Sequence, residues 1–150
     1  MSVAHTIQHL QMLHRTIPGI SVPEKYPGSL NTAQLPAVII WPGRGIERPV
    51  TARAVMVRVE RRYDCRFFLE PLGQNNYDTP VQNAIELLDL CKSTYWENKK
   101  LAEGYIELLQ IEDSGIISGG ELVAIAPLTY AGTAYKGFVC TLTILELLKP

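Results

Sequence analysis

"TARAVMVRVERRYDCRFFLE" (residues 51–70) alternates over most of its length. That pattern marks a strand with one buried and one solvated face. The odd positions carry Val55, Val57 and Val59, then Tyr63, Cys65, Phe67 and Leu69. The even positions carry Arg58, Arg62, Asp64 and Arg66. As one unbroken strand the stretch would reach about 60 Å at roughly 3.3 Å per residue. That exceeds the width of a small domain. The strand is therefore expected either to break near Glu60–Arg61 or to project as an arm, and a projecting arm in a small protein meets a neighbour.

Upstream lies "QLPAVIIWPGRG" (34–45). Residues 35–41 are apolar at both parities, which predicts a central strand covered on both faces. Pro42-Gly43 is expected to stop it, and Arg44 to open a basic loop. Before it, residues 3–16 read as a helix. Val3, Ile7, Leu10, Leu13 and Ile17 recur at steps of three and four, Ser2 is placed to cap, and Pro18-Gly19 ends the run. His5 and His9 sit one turn apart, a metal-like spacing, but no third ligand lies nearby in sequence; a solvated helix face is the stronger reading. Residues 18–34 hold three prolines and two glycines and read as an ordered loop or arm.

Downstream, 72–78 is a polar loop. Thr79-Pro80-Val81-Gln82 then forms a capping box with proline at the first helical position. Val81, Ala84, Ile85, Leu88, Cys91 and Tyr95 make one apolar stripe, so a helix runs to about residue 96 or 97 with that stripe as core. Three strands follow: 104–113, 121–130 with Pro127 near an edge, and 138–148. Gly132 and Gly137 are expected to flank a turn or bulge, and the strands to form a meander. The fold class is α+β: a mainly antiparallel sheet, two helices on one side, and a long projecting strand or hairpin.

The chain has 150 residues, 47% hydrophobic and 19% charged, which suits one domain (1–150) with a real core. The net charge of −1 gives no bulk attraction to nucleic acid. Its distribution is uneven. Residues 1–66 hold nine Lys/Arg and four acids, a net of +5; residues 67–150 hold five Lys and eleven acids, a net of −6. Copies of such a chain would stack head to tail, unless the fold interleaves the two halves. Cys65, Cys91 and Cys140 are odd in number, lack CxxC spacing and lie in apolar stretches. They read as buried structural thiols in a reducing compartment. No signal-peptide pattern and no membrane-length apolar run is present, so a soluble protein made in the cytoplasm is expected.

No G-x-S-x-G elbow, H-E-x-x-H or phosphate-binding loop is found. Gly43-Arg44-Gly45 resembles a fragment of a phosphate loop but lacks the third glycine and the following helix. The remaining candidate is the arginine cluster. Arg44, Arg48, Arg58, Arg61, Arg62 and Arg66 are the candidate interface residues. Lys is absent from the whole stretch, and Glu47, Glu60 and Asp64 are available as partners. Arginine without lysine along a strand suits a protein interface better than a nucleic-acid surface or a plain exposed strand.

Four segments carry a family resemblance: "LPAVIIW" (35–41), "YDCRFFLEPLGQ" (63–74), "GYIELLQIEDSG" (104–115) and "AYKGFVCTLTILE" (134–146). In that order, after an opening helix, they resemble the tail terminator (tail completion) proteins of long-tailed bacteriophages, a set that overlaps with small neck proteins. The likeness covers roughly 3–148. The glycine-rich insert at 115–120 and the arginine segment at 51–62 are longer than the family's pattern. The resemblance implies a structural role without catalysis, cofactor or metal. It implies a homohexameric ring that caps the tail tube, stops its growth and joins the head or neck, with DNA passing through but not specifically bound. It places the protein in the virion, assembled in the host bacterial cytoplasm. A neck protein of similar fold, a small-molecule binding module, and an enzyme using Asp64, Tyr63 or the histidines are the alternatives.

Overall fold

The computed structural model describes residues 3–30, 32–50, 57–71, 78–102, 106–115 and 127–148. Among these residues, helix α1 (Val3–Arg15) is followed by a single 3₁₀ turn (Thr32–Gln34), strand β1 (Ala37–Pro49) and strand β2 (Val57–Pro71). Helix α2 (Asp78–Glu97) leads to β3 (Lys100–Ala102), β4 (Ile106–Asp113), β5 (Pro127–Tyr130) and β6 (Thr133–Leu148). The strands form one antiparallel sheet in the order β1-β2-β6-β4-β3, with β5 also paired to β6. The α+β class expected from the sequence is what the chain adopts.

β2 does not break at Glu60–Arg61. It pairs with β6 from Val57↔Leu148 to Pro71↔Tyr135, and with β1 from Val57↔Pro49 to Phe68↔Ala37. Its partner β6 is also longer than expected, starting at Thr133 instead of 138. β6 is central rather than the last strand of a meander, because β4 and β5 both pair with it and β2 takes its other side. The turn before it is a two-residue hairpin. Ala131 and Gly132 both have positive φ (50° and 82°), the combination that matches the twist of a tight antiparallel pair. The predicted 121–130 strand appears as β5 from Pro127 on; its earlier part, like Arg53 and the 72–77 loop, lies outside the described residues. β3 was not expected from the sequence.

Both helices cover one face of the sheet, as expected. Tyr63, Cys65 and Phe67 of β2 and Phe138, Cys140, Leu142 and Ile144 of β6 point there, against Leu10 and Ile17 from the N-terminal segment and Ala84, Leu88, Cys91 and Tyr95 from α2. Phe67 and Phe138 stack at 4.6 Å between ring centroids. The three cysteines are free and buried in this layer, as predicted. Burial pushes the Cys91 thiol up to about 12 and raises Cys65 and Cys140 as well, so all three stay neutral and act as small hydrophobes.

Among the described residues the second face is covered at one end. Ala37, Ile39, Phe68, Tyr130 and Tyr135 pack with Leu30 from the proline-rich arm. Tyr135 Oη donates to the Leu30 carbonyl at 3.1 Å, Tyr130 Oη donates to the Pro27 carbonyl, and Tyr26 Oη donates to the Ile40 carbonyl at 2.8 Å. This arm explains why 37–40 is apolar at both parities. It does not make β1 central: among the described residues β1 is an edge strand, bridged on its outer side by Ser21.

Gly137 is not at a turn but inside β6. A Cβ there would sit 1.9 Å from the Phe67 carbonyl oxygen, so no side chain fits. Gly137→Ala is expected to destabilise the fold by more than about 2 kcal/mol, read as a lowered urea midpoint. A second expectation concerns His14. It is wholly buried, with Nδ1 donating to the Leu10 carbonyl and Nε2 accepting from Tyr95 Oη, each at 2.6 Å. Desolvation lowers its pKa to about 4, so the folded state holds the neutral ring. Unfolding restores a pKa near 6.5, so the unfolded state binds more protons between those values. Stability from this group is full above about 6.5 and is lost as pH falls toward 4, by on the order of 3 kcal/mol. In paired urea melts at pH 7.5 and 4.5, His14→Gln should lose less stability on acidification than the wild-type chain.

Candidate interaction surface: an arginine-lined sheet face

The site begins with the Pro-Gly that looked like a strand end. β1 continues through it to Pro49 by means of a bulge. Pro42 pairs with Tyr63 and Gly45 with Arg61, so Gly43 and Arg44 together oppose the single residue Arg62. One extra residue reverses parity. Before the bulge the odd residues Ile39 and Trp41 face away from the helices; after it the even residues Arg44, Ile46 and Arg48 do. Both glycines serve this geometry. A Cβ on Gly43 would lie 2.7 Å from the Arg62 carbonyl oxygen, and one on Gly45 would lie 2.7 Å from the Arg61 guanidinium carbon. The Gly-Arg-Gly is thus a bulge with room for two neighbours, not a phosphate loop.

The bulge brings Arg44 and Arg48 beside Arg58, Arg62 and Arg66 of β2 on the face that the helices leave bare. Arg58 pairs with Glu60 at 3.2 Å. Arg66 approaches Asp64 at 3.8 Å and lies 5.8 Å from the Trp41 ring centroid, on its face. Thr141 Oγ1 donates to Asp64 Oδ1 at 3.0 Å. Both carboxylates of β2 on this face are therefore already engaged. Among the described residues Arg44, Arg48 and Arg62 have no acidic partner. They border shallow cavities of about 350 and 470 Å³ that share Arg44 and Arg62, continued by one of about 90 Å³ between Arg48 and Arg58. Together these form a trough that starts on β1 and β2 and continues across β6 toward β4, where Glu112 and Asp113 join Glu60 and Asp64 in its lining. A solvated guanidinium fork of this kind binds carboxylates bidentately.

Arg61 does not join the other five. Its odd position turns it to the helix side, where Nη1 donates to the Gly43 carbonyl at 2.8 Å. There it neighbours a buried polar cluster that the sequence reading missed. Tyr63 Oη donates to Glu146 Oε1, and Glu146 is wholly buried. Burial and this carboxylate raise the Tyr63 pKa far above its ordinary value. Glu146 Oε2 and Arg61 Nε have no partner among the described residues. Parity was the available signal, since Cys140, Leu142, Ile144 and Glu146 all fall on one face of β6. Asp64 lies on the opposite face from Tyr63, and His14 is in the core, so the groups of the enzyme alternative are not brought together. His5 and His9 lie on α1, and among the described residues no three His, Cys, Asp or Glu side chains are grouped to hold a metal ion. No helix among them is long and apolar enough to cross a membrane.

No protein-family model matches the chain, and no curated protein matches it. The site's reading therefore rests on its own chemistry.

Two substitutions separate the bulge from the charge it displays. Gly43→Val should lower stability by about 1–3 kcal/mol, because the backbone of Arg62 must move. Arg44→Ala should change it by less than about 0.5 kcal/mol, because that side chain is exposed and has no acidic partner among the described residues. Paired thermal and urea melts check both.

Proposed function

We propose that this protein is a non-enzymatic structural subunit of a long-tailed phage: it forms a homohexameric ring that caps the tail tube, ends tube growth and presents a surface to the head or neck. One observation carries the reading. The subunit has two unlike outer faces, a helix layer on one side of the sheet and, on the other, arginines of which Arg44, Arg48 and Arg62 have no acidic partner among the described residues. A closed ring requires a heterologous contact between two different patches of the same subunit, and such a pair of faces supplies it. The order of helix, long hairpin, helix and late strands, which resembles the tail terminator proteins, adds support. In this reading the partners are the chain itself, the tail tube protein and head or neck proteins. The protein resides in the virion after assembly in the host cytoplasm. DNA crosses the ring without specific contacts.

Native mass spectrometry over a concentration series, with negative-stain images of the same sample, tests the reading. The expected result is a six-subunit species with a central hole. The triple variant R58E/R62E/R66E should remain folded by circular dichroism and lose that species. A triple variant that assembles like the wild-type chain contradicts the role given to this face.

A further inference from the structure

Resting on that self-assembly reading, we infer that the arginine trough receives the outer face of α2 from a second copy of this chain. α2 buries Ala84, Leu88, Cys91 and Tyr95, so its opposite face is fixed by the 100° helical step. That face carries Gln82, Glu86, Asp89, Ser93, Trp96 and Glu97, all exposed. It contains no Lys or Arg; Lys92, on the flank, is taken by Asp113 at 2.6 Å. Glu97 puts a carboxylate in the last turn, where no basic residue is present. An anion at the negative end of a helix is unfavourable in isolation. Lys99 and Lys100 follow beyond the helix end, but the stripe of Glu86, Asp89 and Glu97 itself carries no cation, and a surface of this kind is completed by something else.

The two patches match in charge, in length and in apolar content. Glu86 and Asp89 are adjacent on the stripe, and Glu97 lies about 12–16 Å further along at 1.5 Å per residue. Arg62 and Arg58 are four residues apart on β2, about 13 Å, each with a β1 arginine beside it. The trough thus offers cations at two stations with the spacing of the helix's carboxylates: Glu86 and Asp89 meet Arg44 and Arg62, and Glu97 meets Arg48 and Arg58. Trp96 is 49% exposed on the helix and Ile46 is 54% exposed in the trough. Aromatic and arginine side chains of this sort form the centres of protein interfaces. The patches lie on opposite sides of the subunit, since α2 covers one sheet face and the arginines occupy the other. One subunit therefore cannot satisfy both, a symmetric arginine-to-arginine dimer is repelled, and the contact runs head to tail.

Charge reversal on each patch separately tests this. R44E/R62E reverses the trough, and E86K/D89K reverses the helix. Circular dichroism melts establish that both variants fold, as expected for exposed side chains without buried partners. Each variant alone should be monomeric at concentrations where the wild-type chain assembles. An equimolar mixture should regain the wild-type mass with equal numbers of the two variants, because both mixed contacts are complementary. Variants that assemble alone overturn the contact. So does a mixture that stays monomeric while the wild-type chain forms its ring; the ring reading then stands, and the trough serves a polyanion or an acidic surface of the tube. A wild-type chain that stays monomeric throughout overturns both together.

Discussion

The pairing of β2 with β6 over its whole described length is the constraint on which the rest depends. Because the two strands keep one register from Val57 and Leu148 to Phe68 and Gly137, with a one-residue shift only beyond Phe68, each inherits a fixed pair of faces over that span. Side chains at odd positions of β2 and even positions of β6 form the floor beneath the helices. Those at even positions of β2 form the opposite surface. A one-residue slip would exchange Tyr63, Cys65 and Phe67 for Arg62, Asp64 and Arg66 under the helices. Burying those charges is far more costly than any gain from the slip, so the sheet has one register. The positions of Arg58, Arg61, Arg62 and Arg66 follow from it.

The bulge at Gly43–Arg44 adds the second layer of control. It lets one edge strand serve two environments: apolar residues under the proline-rich arm, then arginines toward solvent. Without the extra residue, Arg44, Ile46 and Arg48 would face the helix side. The cost is local. Gly43 has no room for a side chain against the Arg62 backbone, and one guanidinium, that of Arg61, is drawn to the Gly43 carbonyl and away from the open face. Next to it the buried Glu146 carboxylate keeps one oxygen without a partner among the described residues. Such a group is expensive to bury.

Much of this was legible in the sequence because it depends on local periodicity. The alternation of 57–69, the stripes of α1 and α2, and the apolar settings of the three cysteines follow from near neighbours along the chain. What escaped depends on distant partners. Pro42-Gly43 resembles a stop signal, and only the Arg62 carbonyl opposite makes it a bulge. Gly137 resembles turn punctuation, and only the Phe67 backbone explains it. β6 was expected to pair with its nearest predecessor, but β2 and β4 both claim it. Arg61 and Glu146 were open to a parity argument that grouping the arginines by type concealed. The acidic outer face of α2 was visible in the composition of the C-terminal half, but its position opposite the arginines required the layer order.

The most direct measurement is the topology of the contact between copies. A chain carrying both R62C and E86C, oxidised mildly at an assembling concentration, tests it, because Cys65, Cys91 and Cys140 are buried and do not compete. The account predicts a ladder of covalent multimers beyond the dimer for the double variant. It predicts a ladder that stops at the dimer for an equimolar mixture of the single variants, and no cross-link for either alone. Disulfide dimers of R62C alone, or a double variant that stays uncrosslinked while the wild-type chain assembles, would contradict it.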